Sequence, residues 1–109
     1  MMRIDDLVAA IAGLQRGDLE AWISEELVAP RQEEGTLLFG EMECARVRLI
    51  CTLYYELEID ADTLPVVLSL VDQLYDARRR LLSLSAAVAA QDKSVQAAII
   101  AALNRQPAP

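Results

Sequence analysis

From Asp62 to about Ala90 the chain repeats apolar residues at helical spacing, with no glycine and a single proline, Pro65, near the start. Val67, Leu68, Val71, Leu74, Tyr75, Leu81, Leu82 and Val88 carry the pattern, which predicts one uninterrupted amphipathic helix. Asp62 or Thr63 can cap it, and a proline is tolerated in the first turn of a helix. A helix of about 28 residues is about 42 Å long at 1.5 Å per residue. That length outruns the core that 109 residues can build. Its outer half therefore needs a cover, either a second subunit or the C-terminal segment. Val67, Leu74, Leu81 and Val88 lie seven apart and are the expected dimer seam, interrupted by Arg78 and Ser85. Asp72 or Asp76 can reach Arg79 or Arg80 on the same helix.

Shorter elements precede it. Ile4, Leu7, Val8, Ile11 and Leu14 mark a first helix over residues 4–14, with Asp5 and Asp6 at its positive end. A turn at Gln15-Arg16-Gly17 leads to a second helix, Leu19 to about Glu26, with Asp18 as its expected N-cap. Two β-prone runs, Leu27–Ala29 and Thr36–Phe39, flank a loop bearing Pro30 and Gly35 and predict a short hairpin. A two-stranded piece is unstable alone and must pack on the helices. A third helix is expected from about Glu41 to Glu56, broadly apolar and so central, and a last one from Lys93 to Asn104 with Asp92 as its cap. The tail, Gln106–Pro109, is expected to fray.

Charge divides the chain unevenly. Residues 1–45 carry three arginines against ten carboxylates, whereas the remainder carries seven of each sign, so the whole net charge of −7 resides in the first half. A duplex-binding surface needs cations facing phosphates, and this half is built the opposite way. The only dense basic cluster, Arg78-Arg79-Arg80, belongs to the long helix. An apolar content of 54% is too high for disorder. No run approaches the roughly 20 apolar residues of a membrane span, and the first residues lack a signal-peptide pattern. A cytoplasmic location without membrane contact is the expectation.

The chemistry of catalysis is missing. There is no histidine, and the four glycines, Gly13, Gly17, Gly35 and Gly40, are scattered and form no phosphate loop. Cys44 and Cys51 on one helix would be about 10.5 Å apart, beyond disulfide reach, and two cysteines without histidine make a poor zinc site. Arg48 one turn before Cys51 could lower its thiol pKa, but apolar packing is the expected role of both cysteines. Neither enzyme, nor cofactor, nor metal is expected.

Two strings carry a family resemblance. Leu27, Val28, Pro30 and Arg31, within Leu19–Arg31, resemble the passage from recognition helix to wing in MerR-type winged helix-turn-helix proteins. Leu37-Leu38-Phe39-Gly40-Glu41 stands where such chains return from the wing, followed by Arg46, Leu49 and Ile50. MerR-type regulators place basic and tyrosine residues where this chain has Glu20, Trp22, Glu25, Glu26, Glu33 and Glu34. With the acidic pattern, Ser24–Arg31 and Leu64–Asp72 look more like the CbpM family of chaperone modulators. The likeness spans roughly residues 4–85. It implies a mainly α fold: a MerR-like winged helix-turn-helix over residues 1–60 with a short hairpin wing, a long helix over 61–90, and a short helix and tail over 91–109. It implies a partner too, the J-domain of a CbpA-type or DnaJ-like co-chaperone, held in check by binding.

A J-domain presents a basic helix to its Hsp70 chaperone, and an acidic surface would attract and occupy it. Asp18, Glu20, Glu25, Glu26, Glu33 and Glu34 are the expected contacts. Trp22 is either an aromatic anchor among them or a core residue, and core is favoured because tryptophan is highly buried on average. A DNA-binding regulator and a structural dimerisation module are the alternatives.

Overall fold

The structure, a computed structural model, describes residues 1–107, so the outermost tail residues, Ala108 and Pro109, lie outside it. It is mainly helical, with one small antiparallel hairpin. The order is α1 (Ile4–Ala10), α2 (Arg16–Ser24), β1 (Arg31–Glu33), β2 (Thr36–Leu38), α3 (Glu41–Cys51), a π-helical turn (Thr52–Glu56), α4 (Leu64–Ala89) and α5 (Lys93–Asn104). Two compact units divide it, the first ending at Ser69 and the second beginning at Leu70. The boundary falls inside α4 and not near residue 60, because Leu64 and Leu68 in the helix's first turns belong to the core of the first unit.

In the first unit α1 opens on Arg3, whose N–H donates to the Asp6 carboxylate. The helix stops at Ala10 and not at Leu14. Gly13 turns the chain with a positive φ, and Leu14 drops into the core from the turn. α2 starts three residues earlier than the Asp18 cap would place it, with Gln15 in the capping position. Asp18 sits instead in the first turn, where the helix dipole favours a carboxylate. Leu19 and Trp22 face inward.

Past α2 the structure differs from the sequence reading. Leu27–Ala29 is not a strand. Leu27 and Val28 are buried in the core, and the Leu27 carbonyl accepts from Arg46 Nε while Ala29 N–H donates to Glu43. These polar partners replace the ladder a strand would have supplied. β1 begins only after Pro30, and pairs Arg31, Gln32 and Glu33 with Leu38, Leu37 and Thr36. Just past β2, Phe39 exchanges two backbone hydrogen bonds with Met2, at 2.9 and 2.7 Å, so the chain's start is tied to the hairpin's return.

α3 contributes Val47, Ile50 and Cys51 to the core. It does not run as α-helix to Glu56. Leu57 N–H bonds the Thr52 carbonyl, a five-residue step that winds Thr52–Glu56 as one π-helical turn. Asp60, not Asp62 or Thr63, closes the approach to α4, accepting from Thr63 N–H at 2.7 Å. The Thr63 hydroxyl first, and that bond second, hold the Asp60 carboxyl below its usual range.

Among the described residues thirteen apolar side chains form the core, from Leu7 to Leu68, all in the first unit. In the second unit Asp92 caps α5 as expected, accepting from Val95 N–H and Ser94 Oγ, and its carboxyl is held low by those bonds, that to Ser94 first. Gln96 Nε2 donates to the carbonyls of Ala89 and Gln91, fastening the corner between α4 and α5. α5 itself has no buried residue. Among the described residues no helix is long and apolar enough to cross a membrane.

Candidate protein-interaction surface

The carboxylates of the first unit sort into structural and free groups. Asp18 is structural. It is half-buried and accepts from the Tyr55 hydroxyl, which in turn accepts from Gln15 N–H at 3.1 Å. Burial and the bond to Asp18 push the Tyr55 phenol up to about 12. The triad fastens the start of α2 to the π-helical turn.

Trp22 is no partner anchor. It is 4% exposed, with Tyr54 edge-on at 6.0 Å and Tyr55 tilted at 6.1 Å between ring centroids. Three aromatic rings in mutual contact are a packing unit, worth more than their buried area alone. Cys51, close by, is buried and its thiol is raised, by burial first and the Asp18 charge second, against the lowering pull of Arg48. Buried in the core, Cys51 packs as a small apolar residue. Cys44 is also unpaired, its Sγ 3.7 Å from Met2 Sδ.

Of the six acids expected as contacts, the other five are exposed: Glu20, Glu25, Glu26, Glu33 and Glu34. They fall in two places. Glu25 and Glu26 form the end of α2, with Glu20 on the helix before them. Glu33 and Glu34 form the hairpin tip and, with Arg3, Thr36 and Leu38, line a depression of about 570 Å³. Arg31 lies 3.5 Å from Glu33, an exposed pair of little energetic weight.

Backbone geometry distinguishes two of these acids. Glu26 has φ 62° and Glu34 φ 49°. Leu27 N–H bonds the Trp22 carbonyl and Glu26 N–H bonds that of Ile23, the Schellman closure in which glycine ordinarily takes the left-handed position. Glu34 and Gly35, both with positive φ, make the two-residue type I′ turn, where Asn-Gly is preferred. A glutamate in either place costs on the order of 1 kcal/mol relative to glycine or asparagine. Sequence reading missed both, although one signal was present: no glycine lies between Ser24 and Pro30, so another residue had to end the helix.

The expected dimer seam is altered at its first member. Val67 is partly buried against the core of the first unit and cannot face a partner freely. Leu74 and Leu81 are exposed and Val88 half-buried. Arg80 pairs with Asp76 at 3.1 Å along the helix.

No family profile, curated protein or solved structure matches this chain, so its own residues must carry the functional reading.

Proposed function

We propose that the chain is a non-catalytic adaptor that binds the J-domain of a co-chaperone through the acidic end of α2 and the acidic hairpin tip, and so restrains it. Glu20, Glu25, Glu26, Glu33 and Glu34 make the contact, without Trp22 and without Asp18, which are committed inside the fold. The observation that supports this most is the placing of Glu26 and Glu34 in left-handed positions. Stability is given up at these two exposed turns to hold carboxylates where glycine or asparagine would fold better; Glu58, outside this surface, shares the conformation at φ 54°. Strain of that kind is concentrated at functional sites. The order of helix, turn, helix, hairpin, helix and long helix suits a MerR-like winged helix-turn-helix. Its usual phosphate-facing surface here carries acids, which repel a duplex and attract a basic helix.

The test is titration calorimetry of the full chain against an isolated J-domain, with association rates followed across salt. Exposed charges steer encounter, so the association rate should fall steeply as the screening length shrinks from about 10 Å at 0.1 M salt toward 3 Å at 1 M. Glu25→Lys with Glu33→Lys should weaken binding at least about tenfold and leave the circular dichroism spectrum unchanged. A folded double variant with unaltered affinity would move the site elsewhere. A wild-type chain that ignores J-domains and binds duplex DNA at 150 mM salt would overturn the proposal outright.

A further inference from the structure

Sulfur gathers at one place in the first unit. Met1, Met2 and Cys44 line a single cavity of about 490 Å³, and Cys44 Sγ lies 3.7 Å from Met2 Sδ. Met2 and Cys44 are half-buried and Met1 is exposed, so the group is held by the fold and still reachable from solvent. Regular backbone sets the pair in place. Met2 exchanges its two hydrogen bonds with Phe39, and Cys44 stands in the first turn of α3 with its N–H on the Gly40 carbonyl. The sequence reading weighed cysteine and histidine as metal ligands and passed over the thioethers. Among the described residues no group of three His, Cys, Asp or Glu side chains could hold a metal ion, so the donor set at this cavity is sulfur alone.

We propose that Cys44 Sγ, Met2 Sδ and Met1 Sδ form a trigonal site for a soft monovalent cation, copper(I) or its closed-shell analogue silver(I). Thiolate and thioether sulfurs select copper(I) over harder ions. With metal–sulfur bonds of about 2.3 Å, three ligands around one ion stand about 4.0 Å apart, and two in line stand about 4.6 Å apart. The observed 3.7 Å suits the trigonal arrangement after a small side-chain adjustment, and Met1, on the same cavity, supplies the third sulfur. Charge favours a monovalent ion. On binding, the Cys44 S–H bond breaks, the proton passes to solvent, and the electron pair left on sulfur makes the bond to the metal. One cation, one thiolate and two neutral thioethers sum to zero. Glu41 and Arg48, which also line the cavity, cancel each other. A half-buried neutral group costs little desolvation, whereas a divalent ion would leave a positive charge uncompensated there. The bound ion ties the first two residues to α3. It uses none of the five exposed acids, so this inference is independent of the J-domain proposal.

Nuclear magnetic resonance of the reduced full chain, with isotope-labelled methionine methyl groups, tests the ligand set. One equivalent of silver(I) in chloride-free buffer should shift the Met1 and Met2 methyl signals. The third methionine, Met42, is 82% exposed and does not line the cavity, so its signal should stay in place. Zinc(II) should move none of the three. Competition for copper(I) against the chelator bicinchoninate reads affinity. Cys44→Ala should abolish one-to-one binding. Met2→Leu keeps apolar volume and should weaken binding at least about tenfold, the scale on which metal affinity responds even to losses outside the ligands. Cys51→Ala should bind as wild type does. Near-ultraviolet circular dichroism of Trp22 verifies the fold of each variant. A wild-type chain that takes up neither ion, an unmoved Met1 or Met2 methyl, or a folded Cys51→Ala chain that loses the metal overturns the inference. So does a Met2→Leu chain of undiminished affinity, which would show a lone thiol at work and no built site.

Discussion

Glu26→Gly should make the protein more stable while removing a charged side chain. Glu26 ends α2 at φ 62°, with the two backbone bonds of a Schellman closure on either side of it. A residue with a Cβ costs about 1–2 kcal/mol in that conformation. Glycine returns part of the gain through its larger unfolded-state entropy, about 0.5–1 kcal/mol. The side chain is exposed, so no buried contact is lost. The net expectation is a gain of about 0.5–1 kcal/mol. For a chain of this size each 1 kcal/mol moves the midpoint by about 4–8 °C, so Tm should rise by about 2–8 °C. Glu26→Ala is the control. It removes the carboxylate and keeps the Cβ, and should stay within about 0.5 kcal/mol of wild type. Thermal melts at 222 nm and urea titrations at pH 7 measure both. A destabilised glycine variant, or an alanine variant that gains as much, would refute the reasoning, because stability would then depend on the charge and not on the backbone. If the carboxylate serves J-domain binding, the same glycine variant should bind more weakly while melting higher, the familiar exchange between stability and function.

Leu68→Ala and Leu74→Ala should differ sharply although they lie on one helix. Leu68 is fully buried and Leu74 largely exposed, so urea unfolding should show losses of about 2–5 kcal/mol and under about 0.5 kcal/mol respectively, the second measured at concentrations where the chain is monomeric. Alkali should unfold the first unit. Tyr55, at about 12, and Cys51, also raised, hold their protons more tightly when folded, so the Cys51 contribution is lost as pH rises above the ordinary thiol value near 9 and the Tyr55 contribution as pH climbs from 10 to about 12. Tyr55→Phe should flatten the upper part of that decline in urea midpoints from pH 8 to 11.5, and a profile unchanged from wild type would place the titrating group elsewhere.

Helical periodicity made most of the architecture legible. α4 and α5 lie within a residue or so of where apolar spacing put them, because nothing beyond spacing and a cap determines a regular helix. The misreadings have one physical origin: competition from tertiary partners. Leu27 and Val28 look like strand residues, yet Arg46 and Glu43, far along the chain, satisfy their neighbourhood's backbone instead. Thr52–Glu56 looks like plain helix, yet Asp18 and Trp22 hold both tyrosines of that turn in place. For the acidic surface, residue type was legible and role was not. Asp18 and Glu20 are alike in sequence, and only the Tyr55 hydroxyl separates the structural carboxylate from the free one. Trp22 was read as core against anchor on statistics, and three packed rings decide for core. In the expected seam the seven-residue repeat was legible, whereas the packing of Val67 against the first unit's core was not.

The hairpin has a consequence for how anything can grip it. Extended peptides often join a protein by adding a strand to an open sheet edge. Here Met2 already occupies both backbone groups of Phe39. The other edge, β1, offers only three residues, Arg31, Gln32 and Glu33, all exposed and two of them charged. Short charged edges of this kind turn away incoming strands. A partner at this tip must therefore read side chains and not backbone, and it must bring its own folded shape. On the proposed reading, a preformed cationic helix would meet the side chains of Glu33 and Glu34 at this tip, and strand addition would contribute little to its grip.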